Sequence, residues 1–212
     1  MSFRTDAVSS AVIELLIRTR PILKDIPQTY LAGGTALSLY LGHRISVDLD
    51  FFTAESFLAD ALTKQLADLG PFVPLNARDN SFVCRVGEVQ FSLFRYPYPL
   101  LDSLNFYSDV AVASLRDIAA MKIVAISQRG SRKDFYDLYA ILDRASHNIN
   151  SVIQDASTKY QLPQDSSYHF IRSLAFFEDA RKEPEIQTHV KMDVDWQGIE
   201  TFFSELVRKL IP

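Results

Sequence analysis

Between Tyr30 and Phe52 the chain reads "YLAGGTALSLYLGHRISVDLDFF". A short apolar strand, a glycine pair, a helix and a second strand follow one another without slack, which commits this region to an α/β arrangement. "TYLAG" gives the first strand, Gly33-Gly34 a tight turn, and "TALSLYLG" a helix that starts near Thr35 and is closed by Gly42. The second strand, "SVDLDFFT", carries two carboxylates. Residues two apart on a strand share a face, so Asp48 and Asp50 lie side by side with Cα atoms about 6–7 Å apart. Val47, Leu49 and Phe51 are expected to point the other way, into the core. Two ionised carboxylates so placed repel each other and resist burial. Mg²⁺ removes the conflict, since it takes one or two carboxylates together with phosphate oxygens. A solvent-facing edge strand would also accommodate both acids.

The glycine pair bears on that choice. Backbone N–H groups at a strand-to-helix turn, with the helix N-terminus behind them, form an anion site, and missing Cβ atoms let a phosphate approach. A tight turn without a ligand is the plainer reading of two glycines alone. Here the turn lies one helix before paired carboxylates, so phosphate and metal sites would be contiguous. A second D-x-D, Asp193 and Asp195 in "MDVDWQGIE", has no such turn before it, and Asp195 is placed to cap the last helix.

The rest of the first half continues in the same style. The first helix is expected to end near Arg20, because Pro21 disfavours helical geometry before it. A helix follows over "SFLADALTKQLADLG", then extended segments "PFVPL", "SFVCRV" and "EVQFSLFRY". "PYPLLDSLNFYSD" has the prolines and polar residues of a surface excursion. After about Val112 the periodicity becomes helical. The expected division is residues 1–112 as an α/β core and 113–212 as a helical region packed on it, with a cleft between as a natural ligand site.

Composition narrows the function classes. The net charge of −4 and sequence pI near 5.6 provide no global field for nucleic acid or membrane, so any phosphate binding is local. Cys84 is the sole cysteine, which excludes an internal disulfide and suits a reducing cytosol. The N-terminal stretch has helical spacing and not a signal-peptide pattern, so a cytoplasmic location is expected.

Further candidates lie in the helical half. Leu115, Ile118, Ala119, Lys122 and Ile126 form one stripe, behind an S-x-x-D start at Ser114 and Asp117. A lysine on that stripe either snorkels out or meets an anion. In "QRGSRKDFYDLY", Arg129, Arg132 and Lys133 crowd together, and Asp134 and Asp137 lie one turn apart. A helix cap from Ser131 to Asp134 and a solvated basic helix end are the plainer readings of these residues.

Together these segments resemble the AbiEii/AbiGii toxin family of nucleotidyltransferase-like proteins. The matching blocks are Gly33, Gly34, Thr35, Ala36 and Leu37; Arg44, Ser46, Asp48, Leu49, Asp50, Phe51 and Phe52; Lys122; and Arg132 through Tyr139. The resemblance implies a nucleotidyltransferase-like fold, an α/β (α+β) core of a small mixed sheet with flanking helices, plus a helical C-terminal part. It implies transfer of a nucleotide from an NTP to an acceptor, tRNA or protein, with Mg²⁺, and a separate antitoxin as partner. By the same match Asp48 and Asp50 would bind metal, while Gly33, Gly34, Thr35, Arg44, Ser46 and Arg132 would hold the nucleotide phosphates. Lys122 would contact phosphates, with Asp134 or Asp137 orienting it or activating the acceptor. One departure stands out. Relatives place a third carboxylate before a "YPYPLL"-like segment, where this chain has Ser92, and Glu88 is too far along the strand to replace it without distortion. A catalytically weak protein that binds nucleotide or RNA, and a non-catalytic partner in a two-gene module, are the alternatives.

Overall fold

The strand-forming runs of the first half assemble one mixed sheet. In the computed structural model, which describes residues 3–145, 147–163, 165–184 and 190–211, its strands are β1 (Tyr30–Ala32), β2 (Asp48–Thr53), β3 (Phe72–Arg78), β4 (Ser81–Val86), β5 (Val89–Arg95), β6 (Asn105–Tyr107) and β7 (Val110–Val112). Their order is β3-β4-β5-β2-β1-β7-β6. β2 is antiparallel to β1 and parallel to β5, and β7 is parallel to β1. With α1 (Ser10–Lys24), α2 (Gly33–Leu41) and α3 (Ala59–Ala67) these strands make a compact unit, Met1–Ser114.

Alternation explains which face is covered. Leu49 and Phe51 of β2 and Phe91 and Leu93 of β5 are wholly buried, while Asp48, Asp50 and Phe52 between them are half-buried. Phe51 lines a cavity of about 280 Å³ with Arg20 and Leu23 of α1, so α1 lies over the buried face. Cys84 of β4 belongs to this core, and burial pushes its thiol up to about 12.

Four local expectations change. Val47 is 41% exposed, because pairing begins only at Asp48 and the alternation does not extend back. α1 continues through Pro21 to Lys24; Ile22 and Leu23 are buried, and that burial outweighs the backbone bond proline cannot make. α3 begins late, at Ala59, and the amides of Phe57 and Ala59 donate to the side chains of Asn80 and Asp79, which ties the chain before the helix to the β3–β4 turn. The excursion after Pro97 contains β6, joined to β7 through Ser108 and Asp109 at positive φ. Their φ values suit a two-residue hairpin turn, but neither is the glycine that would advertise one.

The second compact unit, Leu115–Pro212, is built from α4 (Leu115–Gln128), α5 (Arg132–Arg144), α6 (Ile149–Tyr160), α7 (Ser166–Ser173), α8 (Glu178–Lys182) and α9 (Trp196–Leu210). α4 packs against α5, α6 and α7. Phe135 is surrounded by the rings of Phe177, Trp196 and Phe203 at 5.2–5.8 Å. Asp195 caps α9 by accepting from the Gly198 amide at 2.8 Å, so this second D-x-D serves the helix end. Among the described residues, no helix is long and apolar enough to cross a membrane.

Candidate active site

Register brings the first group of candidate residues together. Asp50 stands opposite Ala32 on β1 and opposite Ser92 on β5, and Asp48 stands opposite Gln90. β1 ends at Ala32 and α2 begins at Gly33, two residues earlier than the sequence suggests, so both glycines belong to the first helical turn. Gly33 has φ +68°, and a Cβ there would come within 3.0 Å of Asp50 Oδ2. Gly34 is packed under Arg44: a Cβ at Gly34 would collide with the Arg44 guanidinium. Ala32 offers no side-chain cap to α2. The first-turn amides have no partners within the helix by its geometry. An electropositive helix end, carrying a buried guanidinium, therefore directly adjoins a carboxylate.

Thr35 and Ser46 hold this turn to β2. Thr35 Oγ1 contacts both Ser46 Oγ, at 2.8 Å, and the Asp48 carbonyl. A carbonyl only accepts and a hydroxyl has one proton, so Thr35 donates to Asp48 and accepts from Ser46. Both hydroxyls are buried and brace the glycine turn against the strand that bears the aspartates.

The donor set fits a hard divalent cation in part. Two carboxylates on one face suit Mg²⁺ that arrives with phosphate oxygens. No group of three or more His, Cys, Asp or Glu residues able to hold a metal exists among the described residues. Ser92, buried and directly opposite Asp50, presents a neutral hydroxyl beside the pair. Glu88 sits in the turn before β5 and outside the strand pairing.

The second group forms its own network in the helical unit. Lys122 does not snorkel out: its side chain is only 8% exposed, with Nζ 2.9 Å from Asp134 Oδ1 and 2.6 Å from Asp137 Oδ2. Asp134 is also gripped by Arg129, through Nε at 2.7 Å and Nη2 at 3.0 Å, and by the Ser131 hydroxyl at 2.8 Å. Ser131 caps α5 as its spacing suggests, so Asp134 serves both cap and ion pair. Burial pushes the Asp134 carboxyl up, but the Lys122 and Arg129 cations outweigh burial and hold it at about 2. Arg132 is employed elsewhere: its Nε donates to the Ala180 carbonyl at 3.1 Å, and its guanidinium lies 4.9 Å from the centroid of the Trp196 ring. Two partnerships escape sequence reasoning. Arg129 meets Asp134 across a helix break, and wholly buried Lys159 of α6 pairs with Asp117 of α4 at 2.8 Å. Asp117 reads as a cap residue, and its true partner lies 42 residues away.

A strand–glycine turn–helix against a carboxylate-bearing strand, in a mixed sheet, defines the nucleotidyltransferase fold class. The family model described as "Nucleotidyl transferase AbiEii toxin, Type IV TA system" matches residues 14–99 and 94–206, and the chain belongs to that family. An uncharacterized protein of Aquifex aeolicus (strain VF5) is 35% identical over 186 residues, covering 86% of this chain and 87% of that protein. Among solved structures, the nucleotidyltransferase toxin MenT4 of Mycobacterium tuberculosis H37Rv superposes with a TM-score of 0.55 at 14% identity, over 92% of this chain and 81% of that one. ANT(2″)-Ia in complex with adenylyl-2″-tobramycin gives 0.51 at 13% identity, over 72% and 96%. At such identities these two structures speak for the fold alone.

Proposed function

We propose that this chain is a Mg²⁺-dependent nucleotidyltransferase of toxin type, acting in the cytoplasm and moving a nucleotide from an NTP to an acceptor hydroxyl on tRNA or protein. The observation that carries this reading is the register of Asp50 against Ala32, which sets the glycine turn of α2 against the carboxylate pair. The first-turn amides at Gly33 and Gly34, with Arg44 beside them, bind triphosphate oxygens. Asp48 and Asp50 hold the metal, and Thr35 and Ser46 keep the turn in place. By the motif match Lys122 is a phosphate contact oriented by Asp134 and Asp137. Magnesium, when bound, supplies charge neutralisation at the phosphates.

In such a transfer the acceptor oxygen forms a bond to the α-phosphorus, the bond to the β-phosphate oxygen breaks, and pyrophosphate leaves. The acceptor proton needs a base. Ser92 is a neutral hydroxyl in the position where a third carboxylate would stand, so transfer is slow. The same residue favours a second reading, a protein that binds Mg-NTP with little turnover. A family described as a toxin of a toxin–antitoxin system supports a separate antitoxin protein as partner.

Incubating the pure protein with each α-labelled NTP, Mg²⁺ and either total tRNA or total protein decides between them. Label on an acceptor supports transfer. Mg-NTP binding without label supports the second reading, and the absence of binding removes both.

A further inference from the structure

The carboxylate face of the sheet continues past Asp50 as a line of aromatic rings. Phe52 is the next residue on that face, and Phe94 of β5 stands opposite it in register. The Tyr96 amide donates to the Thr53 carbonyl at 2.6 Å, which prolongs the β2–β5 pairing beyond the strand end. Ring centroids follow at 5.9 Å for Phe52–Phe94, 5.2 Å for Phe52–Tyr96 and 4.8 Å for Tyr96–Tyr98. Tyr30, opposite Phe52 on β1, backs the row with a stacked ring at 6.1 Å.

The sequence "YPYP" builds the outer part. A proline keeps the residue before it extended, so Pro97 and Pro99 hold Tyr96 and Tyr98 in extended geometry. Two residues apart, their rings project to one side. Phe52, Phe94 and Tyr96 are half-buried and Tyr98 is 41% exposed. A sheet face designed only as core would not leave its rings so open in a row.

We propose that this stripe is a nucleobase-stacking platform, which extends the reading of Asp48, Asp50 and Gly33 as a nucleotide site and rests on it. Rings on a sheet face stack bases without regard to sequence, because every base has a π-face. At about 3.3–3.4 Å per residue, Phe94 lies roughly 7 Å beyond Ser92, Tyr96 roughly 13 Å and Tyr98 roughly 20 Å. The inner rings are within reach of a base whose phosphates sit at the glycine turn. The outer rings suit a base further along a strand. The donor NTP and a single-stranded acceptor offer the same ring chemistry, so the assay has an arm for each.

The test compares the parent with Phe94→Leu, Tyr98→Ala and Tyr98→Trp proteins of unchanged fold by circular dichroism. Probes are Mg-ATP, a labelled single-stranded RNA tetranucleotide without Mg²⁺, and Mg-tripolyphosphate, which has no base. Losing a ring is expected to weaken a base-bearing probe on the order of tenfold, to leave tripolyphosphate unchanged, and to be rescued by Tyr98→Trp. Loss confined to Mg-ATP assigns the platform to the donor, and loss confined to the tetranucleotide assigns it to the acceptor. Equal affinities of the parent, Phe94→Leu and Tyr98→Ala proteins for both base-bearing probes would overturn the proposal, as would an equal loss for tripolyphosphate. A parent that ignores tripolyphosphate removes the phosphate-site reading, while the metal-free RNA arm still reports on the rings.

Discussion

Replacing Lys122 with methionine tests the buried charge network most severely. The sequence alone suggests that methionine would preserve packing and stability, since it keeps the apolar stem. The structure argues otherwise. Lys122 holds Asp134 at 2.9 Å and Asp137 at 2.6 Å, and both acids are fully buried. Removing the ammonium leaves an extra negative charge in that setting, and breaking a buried pair typically costs about 3–5 kcal/mol. At roughly 2–4 °C per kcal/mol for a chain of this size, the melting temperature falls by about 6–20 °C. The sign of the pH dependence provides a second reading. In the parent, Asp134 is held at about 2 against an ordinary 3.8, a folded value below the unfolded one. Its contribution of about 2 kcal/mol is therefore complete above about 3.8 and is lost as pH falls toward 2. Lys122→Met with Asp137→Asn removes one of the two buried carboxylates along with the ammonium and recovers part of the loss. Thermal melts of parent, single and double variants at pH 8, and of the parent from pH 5 down to 3, measure this. A Lys122→Met protein melting within a degree of the parent at pH 8 would refute the argument.

Three further outcomes are expected. Ser92→Asp places a third carboxylate opposite Asp50; its melting temperature should fall below the parent's without Mg²⁺ and rise above it with Mg²⁺, and a melt indifferent to Mg²⁺ would place Ser92 outside the site. Gly34→Ala should leave the melt within about 1 kcal/mol of the parent, since alanine suits a helix. It must push Arg44 aside, however, so Mg-NTP affinity should drop roughly tenfold or more with the loss of a charge-assisted contact, as titration calorimetry would report. Lys159→Met breaks the Asp117 pair and should destabilise about as much as Lys122→Met, yet leave nucleotide affinity intact; a loss of affinity in folded protein would give that pair a role in binding.

What the sequence shows of this molecule depends on the distance over which each signal acts. The β1–turn–α2–β2 run is visible because strand alternation, Gly42 at φ +60° and adjacent glycines are all local. The placement of Ser92 beside Asp50 is also recoverable, since apolar and polar residues alternate from Val89 to Leu93 and the neighbouring strand needs only one register choice. β6 and β7 are hidden because three residues cannot display a period, and their turn lacks glycine. The lysine on the α4 stripe is visible as an anomaly, but its resolution by two aspartates is a fact of helix packing. The extension of α1 past Pro21 is a tertiary effect of the same kind. Arg132 illustrates the limit: a motif match suggests phosphate, and no local signal shows that the folded chain also sets its guanidinium over Trp196.

Asp48 and Asp50, set against the glycine turn, are proposed as a site for Mg-NTP. Isothermal titration of a non-hydrolysable NTP with Mg²⁺ into the parent and into Asp48→Asn/Asp50→Asn tests it directly. The exchange keeps the shape of both side chains and relieves a repulsion, so the variant should melt at or above the parent temperature. Measurable, Mg²⁺-dependent binding to the parent is expected, and its loss in this stable variant. A variant that binds Mg-NTP as the parent does would contradict it.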